Sequence, residues 1–472
     1  MKPFFAILFL LICGLLCGAE LTVLAVSDSH AKCWKWRNLA DAVNRHRRTA
    51  GTENTLLLDA GDTLQGSWLG TWKNGAIPMA ILNELNVDAW VPGNHDFDYA
   101  PESFLRFKGA LLGGDWQTDR VKPRAWAMFE RAGYKIAVIG LGEWGMRRRV
   151  LPDAGITFKD PEKVLASAVR EALAAGADLL ILVQHDGEYG GFGTLHRRLQ
   201  KFPEIPLVIG AHSHQWVAGK KIGRAWYVQP GCYGDHLAVI KVSFRGKDEV
   251  PVITSFLEKT KSPAQYRFRQ ETFAALQEVS RKGKEVLGNV PGGLAPPDGL
   301  YMKGAFGDLA EKALLAETGA GVCIFSLQGG GVRTPDKVTA GDLFRLYPYG
   351  GRICSTELTP TELETLIREM IKFQNRREKL SVRYGGVKLY RDKRGRVQKI
   401  VLPSAGPDGR ILVAMTDYEL AGCAGQIPMM QQLLAKGLPY RNTGILLRDA
   451  IARRLSMEKN LQSGKKGVSY QQ

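Results

Sequence analysis

Sulfur is scarce in this chain of 472 residues. Of its 7 cysteines, two lie in an apolar N-terminal run. The other five (Cys33, Cys232, Cys323, Cys354 and Cys423) are scattered, odd in number and without Cys-x-x-Cys spacing. That argues against a disulfide-rich scaffold and against a thiolate metal site, and leaves one bridge or none open. Acidic residues are also in deficit. There are 47 of them against 64 Lys and Arg, for a net charge of +17. Such a surface favours anionic ligands. No recognition module of the usual kinds is present, so nucleic acid is not the expected partner. After the N-terminus no apolar run is long enough to span a bilayer. The one at the start, Phe4–Cys17, follows Lys2, is itself too short, and ends in Cys17-Gly-Ala19. Those small residues fit a signal-peptidase site, so residues 1–19 are expected to be a cleaved signal, with a retained N-terminal anchor as the alternative. Leu16 is a poor fit for a lipid-modified Cys17. The mature protein is then expected to be exported, periplasmic or extracellular, with no transmembrane segment.

What is present is ordinary globular composition, 45% hydrophobic and 24% charged. The length exceeds one core and predicts two or three domains. The first half alternates short β-branched runs with amphipathic ones. Strands are expected at Leu21–Ser27, Thr55–Leu58, Ala89–Val91, Tyr134–Leu141, Leu179–Val183 and Leu207–Ile209. Helices are expected at Trp36–Arg48, Ala76–Leu85 and Pro161–Ala174. This is the pattern of a layered α/β domain, closed by Pro251–Phe256. A long charged helix is expected over Pro263–Leu287, and Pro291-Gly-Gly293 and Pro296-Pro297 punctuate the chain after it. A second α/β domain follows, from about Tyr301 to Leu455. The densest basic stretch, Arg376–Lys399, reads as a hairpin with a solvated face. The tail from Ser456 onward is polar and basic.

Four strings hold metal-ligand residues: Asp28-Ser-His30, Gly61-Asp62, Gly93-Asn94-His95-Asp96-Phe97-Asp98 and His212-Ser-His214. His185 follows another apolar run. Each candidate sits just past the C-terminal end of an expected strand, where open α/β sheets gather their ligands. Any one string is common by chance; all of them in order at strand ends make a site. Asp28, His30, Asp62, Asn94, His185, His212 and His214 offer only oxygen and nitrogen, which suits zinc, manganese or iron. They are enough for two divalent ions, an arrangement that serves phosphoester chemistry. Asp62 has two carboxylate oxygens and can bridge. His95 and Asp98, three apart, can pair, which makes His95 a candidate to protonate a leaving oxygen or to stabilise the transition state.

These strings resemble the calcineurin-like metallophosphoesterase pattern. Gly61-Asp62-Thr-Leu-Gln65-Gly66 and Gly93-Asn-His-Asp-Phe-Asp98 narrow the resemblance to the 5′-nucleotidase and UDP-sugar hydrolase family, and it continues with Ile156-Thr-Phe-Lys-Asp160-Pro and Gln229-Pro-Gly-Cys-Tyr233-Gly. The resemblance implies a four-layer α/β/β/α metallophosphoesterase domain and a second α/β, substrate-binding C-terminal domain joined to it by a helix. It gives residues 20–258, 291–472 and 259–290 respectively. It implies that Asp28, His30, Asp62 and His214 hold one metal, and that Asp62, Asn94, His185 and His212 hold the other. His95 and Asp98 match its catalytic dyad. Gln328-Gly-Gly-Gly-Val-Arg333 resembles the family's phosphate-contacting loop, so Arg333 and Gln328 are implied substrate contacts. Tyr347-Pro-Tyr349-Gly-Gly and Thr416-Asp-Tyr418 match the positions whose aromatics sandwich the base. A hinge at the linker helix is implied as well.

The chain also departs from the pattern. Gly422-Cys-Ala424-Gly lacks the carboxylate that usually reads the ribose hydroxyls. Gln328 stands for Asn, Ala31 for glycine after His30, and Ala211 for glycine before His212. The expected activity is hydrolysis of nucleoside 5′-phosphates to nucleoside and phosphate. UDP-sugar or 2′,3′-cyclic-nucleotide hydrolysis is the alternative, with a thiosulfate-pathway hydrolase more distant. From another class come a non-catalytic nucleotide-binding protein and an envelope-binding protein.

Overall fold

Alternation along the first strand decides which side faces inward. In β1 (Glu20–Val26), Leu21, Val23 and Ala25 fall on one face. They pack with Leu56 and Leu58 of β2 (Thr55–Asp59) and with Ile136, Val138, Ile181 and Val183 of a second sheet. A computed structural model describes residues 19–457 of the chain, apart from residues 143, 190–193, 247–248, 262, 297–301, 329–331 and 378–379. The expected signal segment, residues 1–19, lies outside the described residues save for Ala19.

The chain divides into two compact units. One comprises the residues up to Trp144 and Ile156–Leu276; the other comprises Gly145–Gly155 and the residues from Gln277 on. In the first unit, one six-stranded sheet runs in the order Val252–Lys259, His236–Ser243, β1, β2, β3 (Ala89–Trp90), Ala110–Leu111. β1, β2 and β3 are mutually parallel neighbours. The other sheet runs Trp216–Ile222, Ala225–Pro230, Leu207–Ile209, Leu179–Gln184, Tyr134–Leu141, Trp126–Arg131. The inner faces of both sheets share one core. Helix α1 (Trp36–Ala50) buries Trp36, Leu39, Ala40 and Val43, an i, i+3, i+4, i+7 stripe. On the outer face of the second sheet, Ala137, Ile139 and Leu141 meet Leu165, Ala168 and Val169 of helix Pro161–Ala174. The unit is therefore layered α/β/β/α.

One element differs from the sequence reading. The charged helix spans only Gln270–Lys282, not Pro263–Leu287. Its expected first turns are drawn out because charged side chains elsewhere capture their backbone. Asp41 accepts the N–H groups of Gln265 and Tyr266. Glu84 accepts the N–H of Arg269 and the hydroxyls of Tyr266 and Thr272. The Arg37 guanidinium also donates to the Ala264 and Tyr266 carbonyls; these and the Arg269 N–H would have belonged to the ladder of a helix begun at Pro263.

The second unit is built on a five-stranded sheet in the order Leu380–Gly385, Val322–Gln328, Ile411–Thr416, Arg352–Leu358, Tyr440–Leu446. Helix Pro360–Arg376 covers one face and helices Ala305–Thr318 and Leu447–Met457 the other. The basic stretch contains the expected hairpin, Lys388–Arg391 paired with Val397–Val401. All five cysteines outside the N-terminal run are free and buried. No helix among the described residues is long and apolar enough to cross a membrane.

Candidate metal centre

Parallel strands deliver their following loops to a single edge, and here that edge collects the ligand candidates. Asp28 lies two residues beyond β1, Asp62 three beyond β2, and Asn94 four beyond β3. His185 directly follows Leu179–Gln184, and His212 comes three after Leu207–Ile209. The loops are laced together by their backbones. Asp28 N donates to Gly61 O and His30 N to Asp62 O, both at 2.8 Å. Tyr233 N donates to Asp28 O at 2.7 Å, and the Asp28 carboxylate accepts the N–H of His212. Asp28, His30, Asp62, His212 and His214 all have positive φ, between 47° and 67°. Non-glycine residues seldom adopt that region, and such turns concentrate at functional sites.

Two side-chain clusters result. Asp28, His30 and His214 form one; Asp62, His185 and His212 form the other, each with its ligand atoms within 4.8 Å of one another. Asp62 stands between them, with Oδ2 3.8 Å from His30 Nε2 and 3.3 Å from His185 Nε2. Asn94 is buried in the adjoining turn.

The donor set fits cations. His185 Nδ1 lies 2.6 Å from Ala60 O, so it carries the proton. That leaves Nε2, buried and without a hydrogen-bond partner, turned towards a carboxylate, where it can hold either a proton or a metal ion. His30 repeats the arrangement: Nδ1 is 3.1 Å from Gln65 O, and Nε2 faces His214 Nε2 at 3.0 Å. The His30–His214 contact is a ring-to-ring hydrogen bond, whereas the His185 lone pair aimed at the Asp62 carboxylate repels it unless positive charge lies between them. The titration behaviour agrees. Burial pushes the Asp28 carboxyl up to about 7 and the His30 imidazole down to about 3. Burial would also lower His185, but Asp62 and Asp28 drive it up to about 10. Burial works to raise Asp62, yet His185, His95 and His30 hold it well below the usual carboxylate range. Buried carboxylates are thus drawing positive charge to the site. The two clusters are consistent with a dimetal centre, and binding of divalent ions there would release protons.

His95 stands beside this group. Its ring centroid is 5.5 Å from that of His30, its N–H donates to Asp62 Oδ1 at 2.7 Å, and its Nδ1 pairs with Asp98 Oδ2 at 3.2 Å. Two carboxylates that the sequence reading did not assign prove central to the framework. Asp96 is fully buried and accepts four backbone N–H groups, from Asp62, Thr63, Leu64 and Gly93, at 2.7–2.9 Å. Asp59 holds Gly61 N and the Thr63 hydroxyl. A charged residue ending the apolar run Thr55–Asp59 was the available signal for the latter. Gly93 is fixed by space: a Cβ there would lie 2.3 Å from Asp62 Oδ1 and 2.4 Å from His185 Cε1. Gly93→Ala should therefore weaken metal retention by about 10–100-fold, read as metal per chain after dialysis. Wild-type retention would show that the Asp62–His185 spacing is not critical.

The expected substrate contacts lie in the second unit, at one edge of its sheet. Gln328 ends strand Val322–Gln328, which is parallel to Ile411–Thr416. Tyr418 follows that second strand, half-buried in the helix Asp417–Leu420. Tyr349, 41% exposed, precedes strand Arg352–Leu358, whose first N–H donates to Asp417 Oδ1 at 3.0 Å. The two tyrosine-bearing turns are thus tied at neighbouring strands. Arg333 is exposed, with Nη1 2.8 Å from Gly292 O. The altered turn is unusual in its backbone, since Gly422, Cys423, Ala424 and Gly425 all have positive φ.

Comparison with known proteins agrees with this layout. Residues 21–216 match the calcineurin-like phosphoesterase model, and residues 292–432 match the 5′-nucleotidase C-terminal domain model. The chain is 24% identical over 464 residues to a Treponema pallidum protein named "Probable 5'-nucleotidase", covering 75% of this chain and 76% of that one. It is 24% identical over 435 residues to the 5′-nucleotidase of Diplobatis ommata, covering 75% and 71%. Its fold matches the solved 5′-nucleotidase precursor of Thermus thermophilus with a TM-score of 0.66 at 19% identity, over 95% of this chain and 98% of that one. Two matched domains in series, with two Asp/His clusters in the first, make the chain a metal-dependent hydrolase of the 5′-nucleotidase family, a calcineurin-like phosphoesterase domain followed by a 5′-nucleotidase C-terminal domain.

Proposed function

We propose that this chain hydrolyses nucleoside 5′-phosphates to nucleoside and phosphate outside the cytoplasm. The observation that carries the reading is Asp62, set between two Asp/His clusters with His95 alongside. Two divalent ions such as zinc or manganese, when bound, supply positive charge to the phosphoryl oxygens and lower the pKa of a nucleophilic water. Asp28, His30, Asp62 and His214 would hold one, and Asp62, Asn94, His185 and His212 the other. The rest falls to the chain's own groups. Water oxygen attacks phosphorus, the P–O5′ bond breaks, His95 as imidazolium delivers its Nε2 proton to the departing O5′, and the proton shed by the attacking water restores the ring. Asp98 steadies the ring through Nδ1, which fixes the tautomer and raises the basicity of His95. Arg333, with Gln328 nearby in sequence, would engage phosphate through its fork of donors. Tyr349 and Tyr418 would stack the base. The charged start, apolar run and small-residue end of residues 1–19 support export.

The test is a substrate panel run with manganese or zinc: nucleoside 5′-monophosphates, UDP-sugars, 2′,3′-cyclic nucleotides and a non-nucleotide phosphoester. Fastest turnover of 5′-monophosphates is expected. Release only from UDP-sugars or cyclic nucleotides would move the reading to those substrates, and no release from folded, metal-loaded protein would end it.

A further inference from the structure

The metal centre uses one edge of the first sheet; the opposite edge carries an arginine cluster that no part of the reaction employs. Thr55 opens β2 and Asp88 immediately precedes β3, whereas Asp59 and Trp90 close those strands on the metal side. At about 3.3 Å per residue, Thr55 and Asp59 lie roughly 13 Å apart along β2. Around Thr55 there is an open cavity of about 580 Å³, lined by Arg47, Arg48 and Arg131, by the amides Asn44 and Asn86, and by a single carboxylate, Asp88. We propose that this cavity is a second anion site, built for a phosphate group and separate from the metal centre.

Three features support it. First, the charge is unbalanced. Both Asp88 oxygens are committed, one to Arg131 Nη2 and the other to Leu57 N, each at 2.8 Å. Asp88 acts on Arg47 as well as on Arg131, so one carboxylate serves three guanidiniums and the lining keeps an excess of positive charge. Burial lowers the Arg47 guanidinium, and Arg131 adds to the effect against Asp88. An incoming anion would relieve that repulsion. Second, the guanidiniums are pre-organised. Arg47 is pinned by Leu85 O and Asn86 O at 2.6 and 3.0 Å, and Arg131 by Thr55 O at 2.9 Å. Each still has N–H groups to give, since a guanidinium carries five. Fixed forks lose little entropy on binding and match phosphate geometry. Third, the basic wall continues. Arg48 also lines a neighbouring cavity of about 230 Å³ with Arg45, Lys261 and one carboxylate, Asp41, whose oxygens are held by the N–H groups of Gln265 and Tyr266, while Arg45 pairs with Glu258. A phosphate chain longer than one unit could cross Arg48 from the first cavity into the second.

The ligand is thus either free orthophosphate or the phosphate of a longer polyanion, and titration distinguishes them. Metal-loaded, full-length protein is titrated calorimetrically with inorganic phosphate and with tripolyphosphate at constant ionic strength. Wild type is compared with Arg48→Glu and Arg131→Lys. Arg48 is exposed at the end of α1, so its variant should fold, and a thermal melt checks this. One binding class should weaken by about tenfold or more in Arg48→Glu, and by less in Arg131→Lys, which keeps the charge and loses the fork. A class unchanged by either substitution belongs to the metal centre. Tripolyphosphate binding about tenfold tighter than phosphate assigns a polyanion that runs past Arg48, and equal affinities assign single phosphate. Isotherms for both anions that are the same in wild type and Arg48→Glu would overturn the proposal.

Discussion

Asp62→Asn should lower phosphate release by at least about 10³-fold while leaving the chain folded, because it removes charge from the point where both clusters meet. The wild-type carboxylate offers Oδ2 towards His30 and His185 and Oδ1 to the His95 N–H. Asparagine keeps one oxygen for His95 but puts a neutral amide between the clusters. The hydrogen bonds that shape the Asp62 turn come from its backbone and from Asp96, so they survive the change. Turnover at saturating manganese or zinc, metal per chain and circular dichroism are the measurements. An active Asp62→Asn protein would show that the two clusters work independently.

Asp96→Ala should fail in a different way. Four backbone N–H groups converge on this one buried carboxylate, two per oxygen, and all lose their acceptor once it is gone. An orphaned buried donor costs about 1–3 kcal/mol, and the loops can relax to recover part of the total. A loss of about 4 kcal/mol in unfolding free energy is therefore expected, together with loss of metal. Urea denaturation measures the first and elemental analysis the second. The pair of variants separates two roles: Asp62→Asn should unfold near the wild-type midpoint, and Asp96→Ala well below it. An unshifted midpoint in Asp96→Ala at equal m-value would mean that the Asp62 and Gly93 turns are held by something other than this carboxylate.

The contrast between Asp62 and Asp96 also shows what the sequence could convey. Asp62 was legible because its chemistry is its residue type, placed after an apolar strand. Asp96 sat inside the same motif, but its role depends on four donors, three of them more than 30 positions away. No periodicity marks such a partner. Strand limits such as Tyr134–Leu141 and Leu207–Ile209 were readable from apolar runs alone. The shortening of the charged helix to Gln270–Lys282 was not, because Arg37 and Glu84 act from distant elements. Residues Gly145–Gly155 gave no sign that they cluster with the second unit, where Leu151 enters the core and Asp153 N meets the Tyr440 hydroxyl. That association lies in contacts made nearly 300 positions along the chain.

The left-handed backbone at Asp28, His30, Asp62, His212 and His214 has a practical corollary for anyone engineering this protein. Glycine would relieve about 1 kcal/mol of backbone strain at each position, but at Asp28 and Asp62 it would also strand the N–H groups of His212 and His95. A library screened for heat tolerance alone, without metal, would therefore enrich glycine at His30, His212 and His214, three of the proposed metal ligands. The hardiest clones would be the inert ones, so selection must reward turnover from its first round.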